Sequence, residues 1–253
     1  DGKVGWVGGH NVGDEYLGRD PKFSPWRDTH VRIQGPAVHQ LQLTILADWY
    51  WATRKMPEVN WSPEPGGTEG RGKRVLIVPT GPSSQHETAS LFFVAALSTA
   101  RKRLWIAAPY FVPDDAVMKA LKLAAFRGVE VRIITTGKGD SLPVWLAAFH
   151  YIYKLRGLGI RFYGYAPGFM HQKVVLIDDH LAYVGSHNFD NRSFRLNFEV
   201  GAMVEDSDFA GEVEAMFERD FAHAEVIEAD ALEQGGLWWR LGVQLSRLAA
   251  PVL

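Results

Sequence analysis

His171 and Lys173 are the residues whose types and spacing most directly suggest chemistry. They stand two positions apart in the segment 171–178, HQKVVLID, which has the apolar character of a buried strand. Side chains two positions apart on a strand share a face, so His171 and Lys173 are expected to point one way and Gln172 the other. An imidazole beside an ammonium makes a poor hydrophobic core. The pair suits an anionic group that must exchange protons during a reaction.

The residues that follow this segment add further polar groups. Asp178 opens the sequence DDH, which predicts a hairpin turn, so its carboxylate is expected to hold a loop rather than to react. Gly185 and Ser186 allow a backbone and a hydroxyl to approach a ligand closely. The amide of Asn188 can donate to a ligand oxygen. Ser186 and Asn188 are therefore predicted to bind the anion.

An internal repeat gives these residues counterparts near the N-terminus. Residues 1–11, DGKVGWVGGHN, match residues 178–188, DDHLAYVGSHN, at a constant offset of 177. Asp1, Gly9 and Asn11 thus correspond to Asp178, Ser186 and Asn188, and they are predicted to take the same roles. A repeat of this length is not a solenoid, and it predicts two copies of one domain, of which the first is cut short.

The similarity extends to an acidic residue in each copy. Asp28 and Glu199 each open an alternating pattern that predicts a strand, and a helical pattern follows both. Strands are predicted at residues 75–78, 104–108, 129–135, 160–165, 174–177, 181–184 and 198–204, and helices at residues 37–55, 87–102, 115–127, 143–156 and 209–226. Strands alternating with helices favour an α/β fold, a mixed β-sheet flanked by helices, with antiparallel pairing where the connections are short.

The composition divides the chain into four parts. Residues 1–59 form the C-terminal part of the first domain, and residues 60–73, dense in Pro and Gly, form a linker. Residues 74–230 form the second domain, and residues 231–253 form an amphipathic tail. Within the second domain, Tyr110 follows a predicted strand at the edge where open α/β sheets place ligands, and it is predicted either to wall the site or to pack in the core.

The tail contains a helical stripe of apolar residues opposite a polar face. The apolar positions are Trp238, Leu241, Leu245 and Leu248, and the polar ones are Arg240, Gln244 and Arg247. Two interpretations are open. The helix either docks on a core through its stripe, or it lies in a membrane interface with tryptophan at headgroup depth.

Composition and charge exclude several classes of function. The chain has 253 residues, 47% of them hydrophobic, which is enough to bury a sizeable core. Its 27 basic and 29 acidic residues give a net charge of −2, so no global positive field indicates nucleic acid as a partner. The absence of cysteine excludes disulfides and thiol catalysis. No apolar run approaches the roughly 18 residues of a membrane span.

Positions 171–188 fit throughout the signature His-x-Lys-x4-Asp followed by Gly-Ser-x-Asn, and in this the sequence resembles the phospholipase D superfamily. Other segments are similar to the bacterial cardiolipin synthase branch of that superfamily: NVGDEYLGRD (11–20), WRDTH (26–30), DWYWAT (48–53), PYFVPD (109–114) and NFE (197–199). In that superfamily two such signatures normally meet across a pseudo-twofold axis to build one site, so the resemblance implies two pseudo-twofold-related domains, the first of them incomplete here. Asp1 aligns with the Asp of the first signature, whose His and Lys would precede it, so the resemblance implies a fragment truncated inside that motif.

The resemblance implies a phosphatidyltransferase that joins two phosphatidylglycerols to cardiolipin and glycerol through a phosphatidyl-histidine intermediate. His171 would then act as the acid and base while the other histidine attacks phosphorus. The partners implied are phosphatidylglycerol and a membrane lipid surface, at the bacterial inner membrane. The chemistry needs no metal and no cofactor.

The resemblance also implies roles for single residues. Lys173 and Asn188 would hold the phosphate oxygens as charge builds. Glu199 would accept from the far nitrogen of His171 and fix its tautomer, and Asp28 would serve the other histidine in the same way. His10 and His187 stand at a variable position of the signature, so both are expected to pack behind the site.

Two alternatives differ in what happens to the bound phosphate. A phospholipase or nuclease of the same superfamily would use water as the acceptor, although the near-neutral charge argues against a nuclease. A noncatalytic module would bind a lipid phosphate through His171 and Lys173 without turnover.

Overall fold

The computed structural model describes residues 2–62, 72–84, 86–137, 139, 141–228, 230–248 and 250. Asp1 and residues 63–71 of the predicted linker lie outside the described residues. The strands are β1 (Val4–Gly8), β2 (Trp26–Arg27), β3 (His30–Gln34), β4 (Arg74–Thr80), β5 (Arg103–Ala107), β6 (Phe111–Val112), β7 (Glu130–Thr136), β8 (Arg161–Tyr165), β9 (Phe169–Met170), β10 (Val174–Ile177), β11 (Leu181–Gly185), β12 (Phe189–Asp190), β13 (Glu199–Glu205) and β14 (Ala224–Ile227). The helices are α1 (Val38–Thr53), α2 (Thr88–Thr99), α3 (Asp115–Phe126), α4 (Leu142–Lys154), α5 (Asn191–Arg195), α6 (Ser207–Ala222), α7 (Ala231–Gln234) and α8 (Leu237–Leu248).

The centre of the fold is a mixed sheet. Within the described chain, eight strands pair in the order β14-β8-β7-β5-β10-β11-β13-β4. Strands β5, β7 and β8 run parallel, because a helix follows each of the first two before the chain returns to the sheet. The strands β10, β11 and β13 are antiparallel neighbours with short connections. The predicted α/β fold with a mixed sheet is confirmed.

Hydrophobic cores lie on both faces of this sheet. Successive side chains of β5 alternate, so Leu104 and Ile106 pack with helices α2 and α3, while Trp105 and Ala107 pack with α6. Burial of each such large side chain stabilises the fold by about 1.5–3 kcal/mol. The sheet is therefore a rigid support for residues at the ends of its strands.

The N-terminal part of the chain adds a smaller unit at one edge of the sheet. Strands β1 and β3 pair antiparallel, and helix α1 packs on them. Their core reaches the main sheet through Ile77 of β4 and Ala202 of β13. Strand β2 leaves this unit and pairs in parallel with β9, directly before His171. The two short strands thus join the N-terminal segment to the second half of the chain.

The C-terminal part differs from the prediction in two respects. The helix predicted at residues 209–226 ends at Ala222, and Ala224–Ile227 instead forms β14, because pairing with the open edge of β8 satisfies its backbone. Helix α8 docks on α4, but through Trp239, Gly242 and Val243, so the interpretation in which its apolar stripe makes the contact is wrong. The stripe is exposed, with Trp238 at 81%. In the described part of the chain, no helix is both long and apolar enough to cross a bilayer.

Candidate active site

A pocket of about 720 Å³ opens where the β1–β3 unit faces the ends of β10, β11 and β13. The predicted residues that line it are Gly9, Asn11, His171, Lys173, Ser186, Asn188 and Glu199. The pocket therefore brings together both copies of the repeated motif.

His171 pairs with an acid from the N-terminal segment. Its Nδ1 donates to Oδ2 of Asp28 over 3.0 Å, and the two side chains are only 12% and 5% exposed. Strands β2 and β9 pair in parallel, with Trp26 beside Phe169 and Arg27 beside Met170. The residues that follow the two strands, Asp28 and His171, therefore also lie side by side. The backbone N–H of His171 donates to the carbonyl of Arg27 at 2.8 Å, which fixes this register.

Glu199 does not have the partner that the resemblance implied. Its carboxylate accepts from the hydroxyl of Ser186, from the hydroxyl of Ser193 at 2.9 Å and from the amide of Asn197 at 3.1 Å. The expected pairing of Glu199 with His171 is therefore wrong, and Asp28 takes that place. The physical reason is the β2–β9 pairing, which carries the acid of one repeat to the histidine of the other.

The surroundings of His171 favour the neutral ring. Burial lowers the pKa of His171 below its ordinary value, the hydrogen bond to Asp28 opposes this, and the ammonium of Lys173 lowers the pKa further. Because Nδ1 donates to a carboxylate, the proton of the neutral ring stays on Nδ1 and the lone pair on Nε2. In this neutral form Nε2 is the ring nitrogen that can accept a proton.

Lys173 supplies a buried positive charge to the same pocket. Its side chain is 3% exposed, and Nζ donates to the carbonyl oxygen of His171 at 2.5 Å. Asp190 lies near enough for the ammonium to act against the burial that raises the pKa of this carboxyl group. The positive charge of Lys173 would attract an anion that enters the pocket, and the attraction is stronger in a buried position than in water.

Small polar groups complete the wall. Gly9 must lack a side chain, because a Cβ there would overlap Oδ1 of Asp28 and lie 2.7 Å from the carbonyl oxygen of His171. The amide of Asn11 donates to the hydroxyl of Tyr16. Among the described residues, Oδ1 of Asn188 is buried without a hydrogen-bond partner. The protein thus leaves the hydrogen bonding of the Asn188 side chain incomplete at its carbonyl oxygen.

The two histidines of the repeated motif differ in burial. His187 is fully buried between Ser186 and Asn188, where its ring nitrogens lie 2.5 Å from the hydroxyl of Tyr183 and 2.7 Å from that of Thr80. Its expected packing role is confirmed. His10 is exposed, so the same expectation for it is wrong.

Asp178 and Tyr110 are not among the residues that line this pocket. The carboxylate of Asp178 accepts from the backbone N–H groups of Arg101, Lys102 and Arg103 at 2.8–3.1 Å. It therefore holds the segment before β5, as its place in a hairpin turn predicts. Tyr110 is partly buried and directly precedes β6, whose parallel pairing with β12 places it beside Asn188. It therefore lies next to the wall of the pocket without lining it.

Sequence reasoning missed the aromatic surroundings of His171. The rings of Trp26, Tyr16 and Phe169 lie 5.1, 5.7 and 6.1 Å from the imidazole, centre to centre. Trp26 also donates from Nε1 to Asp28 at 3.4 Å. No spacing rule links these positions, since each belongs to a different loop or two-residue strand. Among the residues described, no three acidic or histidine side chains are placed to hold a metal ion.

A second, more apolar groove of about 620 Å³ adjoins the pocket. It runs between helix α1, at Leu43 and Ala47, and the edge strand β4, at Ile77 and Pro79. Both cavities share part of their lining, namely Ser186, Phe198, Glu199 and Val200. An elongated molecule could place a polar group at His171 and an apolar part in the groove.

Curated relatives are similar to the whole chain. Residues 93–221 match the family described as "Cardiolipin synthase, PLD-like domain". Cardiolipin synthase A of Pseudomonas putida strain F1 is 46% identical over all 253 residues, which correspond to 52% of that protein. Cardiolipin synthase A of Pseudomonas aeruginosa strain PAO1 is 47% identical over the same residues, 51% of its length. The chain thus spans about half the length of these relatives.

Solved structures share the fold at low sequence identity. Phosphatidylserine synthase of Haemophilus influenzae aligns with 99% of this chain and 69% of its own, with a TM-score of 0.71 and 14% identity. Nuc, a phospholipase D family member of Salmonella typhimurium, aligns with 62% of this chain and 99% of its own, with a TM-score of 0.52 and 22% identity. The family match, which contains His171 and Glu199, and the shared fold agree: the chain belongs to the cardiolipin synthase, PLD-like domain family of the phospholipase D superfamily.

Proposed function

We propose that this chain carries one of two cooperating halves of a phosphatidyl-transfer site, of the type that joins two phosphatidylglycerols to cardiolipin and glycerol. The observation that supports this most is the His171–Asp28 pair, 3.0 Å apart, beside the buried ammonium of Lys173 in one pocket. A phosphodiester needs a cation for its oxygens and an imidazole for its protons, and this pocket offers both.

The proposed reaction has two displacements at phosphorus. A histidine of the first signature attacks the phosphatidylglycerol phosphorus, and the bond from phosphorus to the glycerol headgroup oxygen breaks as that oxygen takes a proton from Nε2 of His171. For this step His171 has first taken up a proton from water at Nε2, which gives an imidazolium paired with the carboxylate of Asp28. A hydroxyl of the second phosphatidylglycerol then loses its proton to Nε2 of His171 and attacks the phosphorus of the phosphatidyl-histidine. The bond from phosphorus to the attacking histidine breaks, and cardiolipin forms. Lys173 and Asn188 hold the nonbridging oxygens in both steps.

Glu199 is the acid that we assign to the histidine of the first signature. It lines the pocket and is oriented by Ser186, Ser193 and Asn197, whereas Asp28 already serves His171. In this proposal the two acids exchange partners between two pseudo-twofold-related domains. The antiparallel pairs β1–β3 and β11–β13, which carry the repeated motif and lie in contact, support that arrangement.

The lipid part of the substrate also has a place in this proposal. The apolar groove beside the pocket would receive an acyl chain while the phosphate lies at His171. The exposed stripe of α8, which includes Trp238 and Leu245, would rest on the bilayer surface from which the lipid comes. The proposed partners are therefore phosphatidylglycerol and a lipid surface.

The test is a product analysis with phosphatidylglycerol vesicles and the protein expressed from its complete gene. Transfer yields cardiolipin and glycerol in equal amounts, hydrolysis yields phosphatidic acid and glycerol, and a binding module yields neither product. His171→Asn and Lys173→Met should each abolish cardiolipin, while Asp14→Asn, a change at an exposed acid, should not. Phosphatidic acid as the main product would replace the transferase with a hydrolase.

Acid trapping of the intermediate tests the assignment of the two histidines. Rapid quenching followed by peptide mass spectrometry should find the phosphatidyl group on a histidine other than His171. A label on His171 would make it the nucleophile and would overturn its acid–base role. The product analysis would still stand in that case, so the two parts of the proposal fail separately.

A further inference from the structure

Behind the His171–Asp28 pair lies a buried ion pair between the two halves of the chain. Arg27 of β2 donates from Nε and Nη2 to the two carboxylate oxygens of Asp220 at 2.9 and 3.0 Å. Asp220 belongs to the last turn of α6, lies 193 positions away and is 5% exposed. Such a two-point contact fixes the orientation of both planar groups.

Gln172 and Thr29 close this contact into a ring of hydrogen bonds. Gln172, which is fully buried, donates from Nε2 to Asp220 at 2.6 Å. The hydroxyl of Thr29 donates to Oε1 of Gln172 at 2.7 Å, and Nη1 of Arg27 lies 3.3 Å from the same hydroxyl. We call these four residues, Arg27, Thr29, Gln172 and Asp220, the rear ring.

The rear ring consists of the sequence neighbours of the reacting pair. Arg27 and Thr29 flank Asp28, and Gln172 follows His171. Arg27 also donates from Nη1 to the backbone carbonyl of Asp28 at 2.6 Å. Because the backbone alternates, the side chains of Asp28 and His171 meet on one side of the two segments, while their neighbours face the ring on the other.

We infer that Asp220 is a positioning residue, which holds the segments of Asp28 and His171 in the register that lets their side chains meet. The inference rests on the proposed function only in taking His171 as a reacting group. A ring that served stability alone would gain little from buried charge, since apolar residues of the same volume stabilise a core equally well. Directional hydrogen bonds do what apolar packing cannot, because they set relative position within a few tenths of an ångström.

The pKa of His171 shows whether the rear ring holds Asp28 in place. Asp28 raises the pKa of His171 against burial and against Lys173, so a displaced Asp28 leaves that pKa lower. The other polar groups around the imidazole are the backbone of Gly9, the hydroxyl of Tyr16, and His30 and Glu199 in the shared pocket; these stay in all the variants below.

The experiment is a proton NMR titration of the histidine Cε1–H signals of the 253-residue chain, with His171 assigned by the spectrum of His171→Asn. Asp28→Asn removes the His171–Asp28 pair completely and therefore gives the largest expected fall in the pKa of His171. Asp220→Asn and Gln172→Met should each lower the pKa of His171 toward that limit. Gln172→Met matters most, because it breaks two bonds of the ring without changing any charge.

Glu214→Gln is the matched control. Glu214 lies on the same helix and forms a two-point pair with Arg103, away from the pocket. Glu214→Gln should lower the midpoint of thermal unfolding by less than Asp220→Asn, because Glu214 is more exposed and Arg103 keeps its pair with Asp179. It should leave the His171 titration unchanged. If His171 titrates in both ring variants as it does in the unmodified chain, while Asp28→Asn shifts it, the ring does not position the pair. Since no turnover is measured, a failure of the proposed reaction leaves this result intact.

Discussion

The carboxylate of Asp28 lies 3.0 Å from Nδ1 of His171, although 143 positions separate the two residues. The contact exists because the two-residue strands β2 and β9 pair in parallel and end side by side. It makes the N-terminal segment part of the site, and it assigns the acid of one repeat to the histidine of the other. Activity should therefore depend on a residue far outside the His-x-Lys signature.

Asp28→Asn is expected to lower the turnover of phosphatidylglycerol by about 10²- to 10⁴-fold, the range that positioned proton transfer contributes. An amide can donate to Nδ1, which moves the ring proton to Nε2 and removes the lone pair needed there. The measurement is the rate of cardiolipin formation by the protein expressed from its complete gene.

Asp14→Asn serves as the control for Asp28→Asn. Asp14 is an exposed acid of the same N-terminal segment, paired only with the exposed Arg19 among the contacts of the described residues. This variant should keep the full rate. An unchanged rate in Asp28→Asn would show that the His171–Asp28 contact has no part in the chemistry.

The site could be predicted from sequence where its geometry is local. His171 and Lys173 share a face because they stand two apart, and Gln172 points away from the pocket for the same reason. The partner of His171 could not be found in this way. It depends on the pairing of two strands of two residues each, which are too short to leave a hydrophobic pattern.

The fold, too, could be predicted where an element depends on its own sequence, and not where it depends on a distant partner. Apolar runs predicted the strands of the main sheet, because strands buried on both faces read as continuous apolar segments. Strand β14 was missed, since residues 224–227 continue the helical pattern of α6 and become a strand only through the free edge of β8. The stripe of α8 was recognised, but which side of the helix faces α4 depends on Trp239, Trp145 and Phe149.

Gly9→Ala is expected to disrupt the site from the opposite side of the pocket. The added Cβ would overlap Oδ1 of Asp28, whose side chain is held by His171 and by the backbone N–H of Thr29. Either Asp28 or the β1 end must move, at a cost of about 1–3 kcal/mol in the free energy of unfolding. Urea unfolding measures this cost, and the NMR titration of His171 reports the displacement.

Gly211→Ala is the control for this substitution. Gly211 lies inside α6, and no heavy atom outside its own helix lies within 4 Å of a Cβ placed there. Alanine should stabilise the chain by up to about 1 kcal/mol, because it is the better helix former. If Gly9→Ala is as well tolerated as Gly211→Ala, the close approach of Gly9 to Asp28 is not required.

The exposed stripe of α8 is expected to bind lipid bilayers. Its outward residues are Leu237, Trp238, Leu241, Leu245 and Leu248. The double substitution Trp238→Ser and Leu245→Ser removes two of the apolar side chains that would enter the interface, and it should weaken vesicle binding by roughly tenfold or more. Flotation with phosphatidylglycerol vesicles measures the bound fraction.

The matched control for the stripe removes the same side chains elsewhere. Trp51 on α1 and Leu91 on α2 are also exposed, so Trp51→Ser with Leu91→Ser deletes the same apolar groups from other surfaces. Equal losses of vesicle binding in the two double variants would show that α8 has no special role at the membrane.

The buried His187 should make the fold sensitive to acid. Burial lowers its pKa to about 3 from the 6.5 of an unfolded histidine. Between these values the unfolded chain binds a proton that the folded chain does not, so the free energy of unfolding falls as the pH falls from about 6.5 toward 3, by about 1.4 kcal/mol per pH unit. His150, whose pKa is lowered to about 4, adds to the slope.

His187→Gln should flatten this dependence, because glutamine stays neutral throughout. The variant loses hydrogen bonds to Tyr183 and Thr80 and should be less stable at pH 7 by about 1–3 kcal/mol, yet the difference from the unmodified chain should shrink as the pH approaches 4. Urea unfolding followed by circular dichroism at several pH values measures both effects. His180→Gln, a change at an exposed histidine of the β10–β11 turn, should leave the slope as it is. Parallel curves for His187→Gln and the unmodified chain would mean that the folded chain protonates His187 at the same pH as the unfolded chain, so that burial does not lower its pKa.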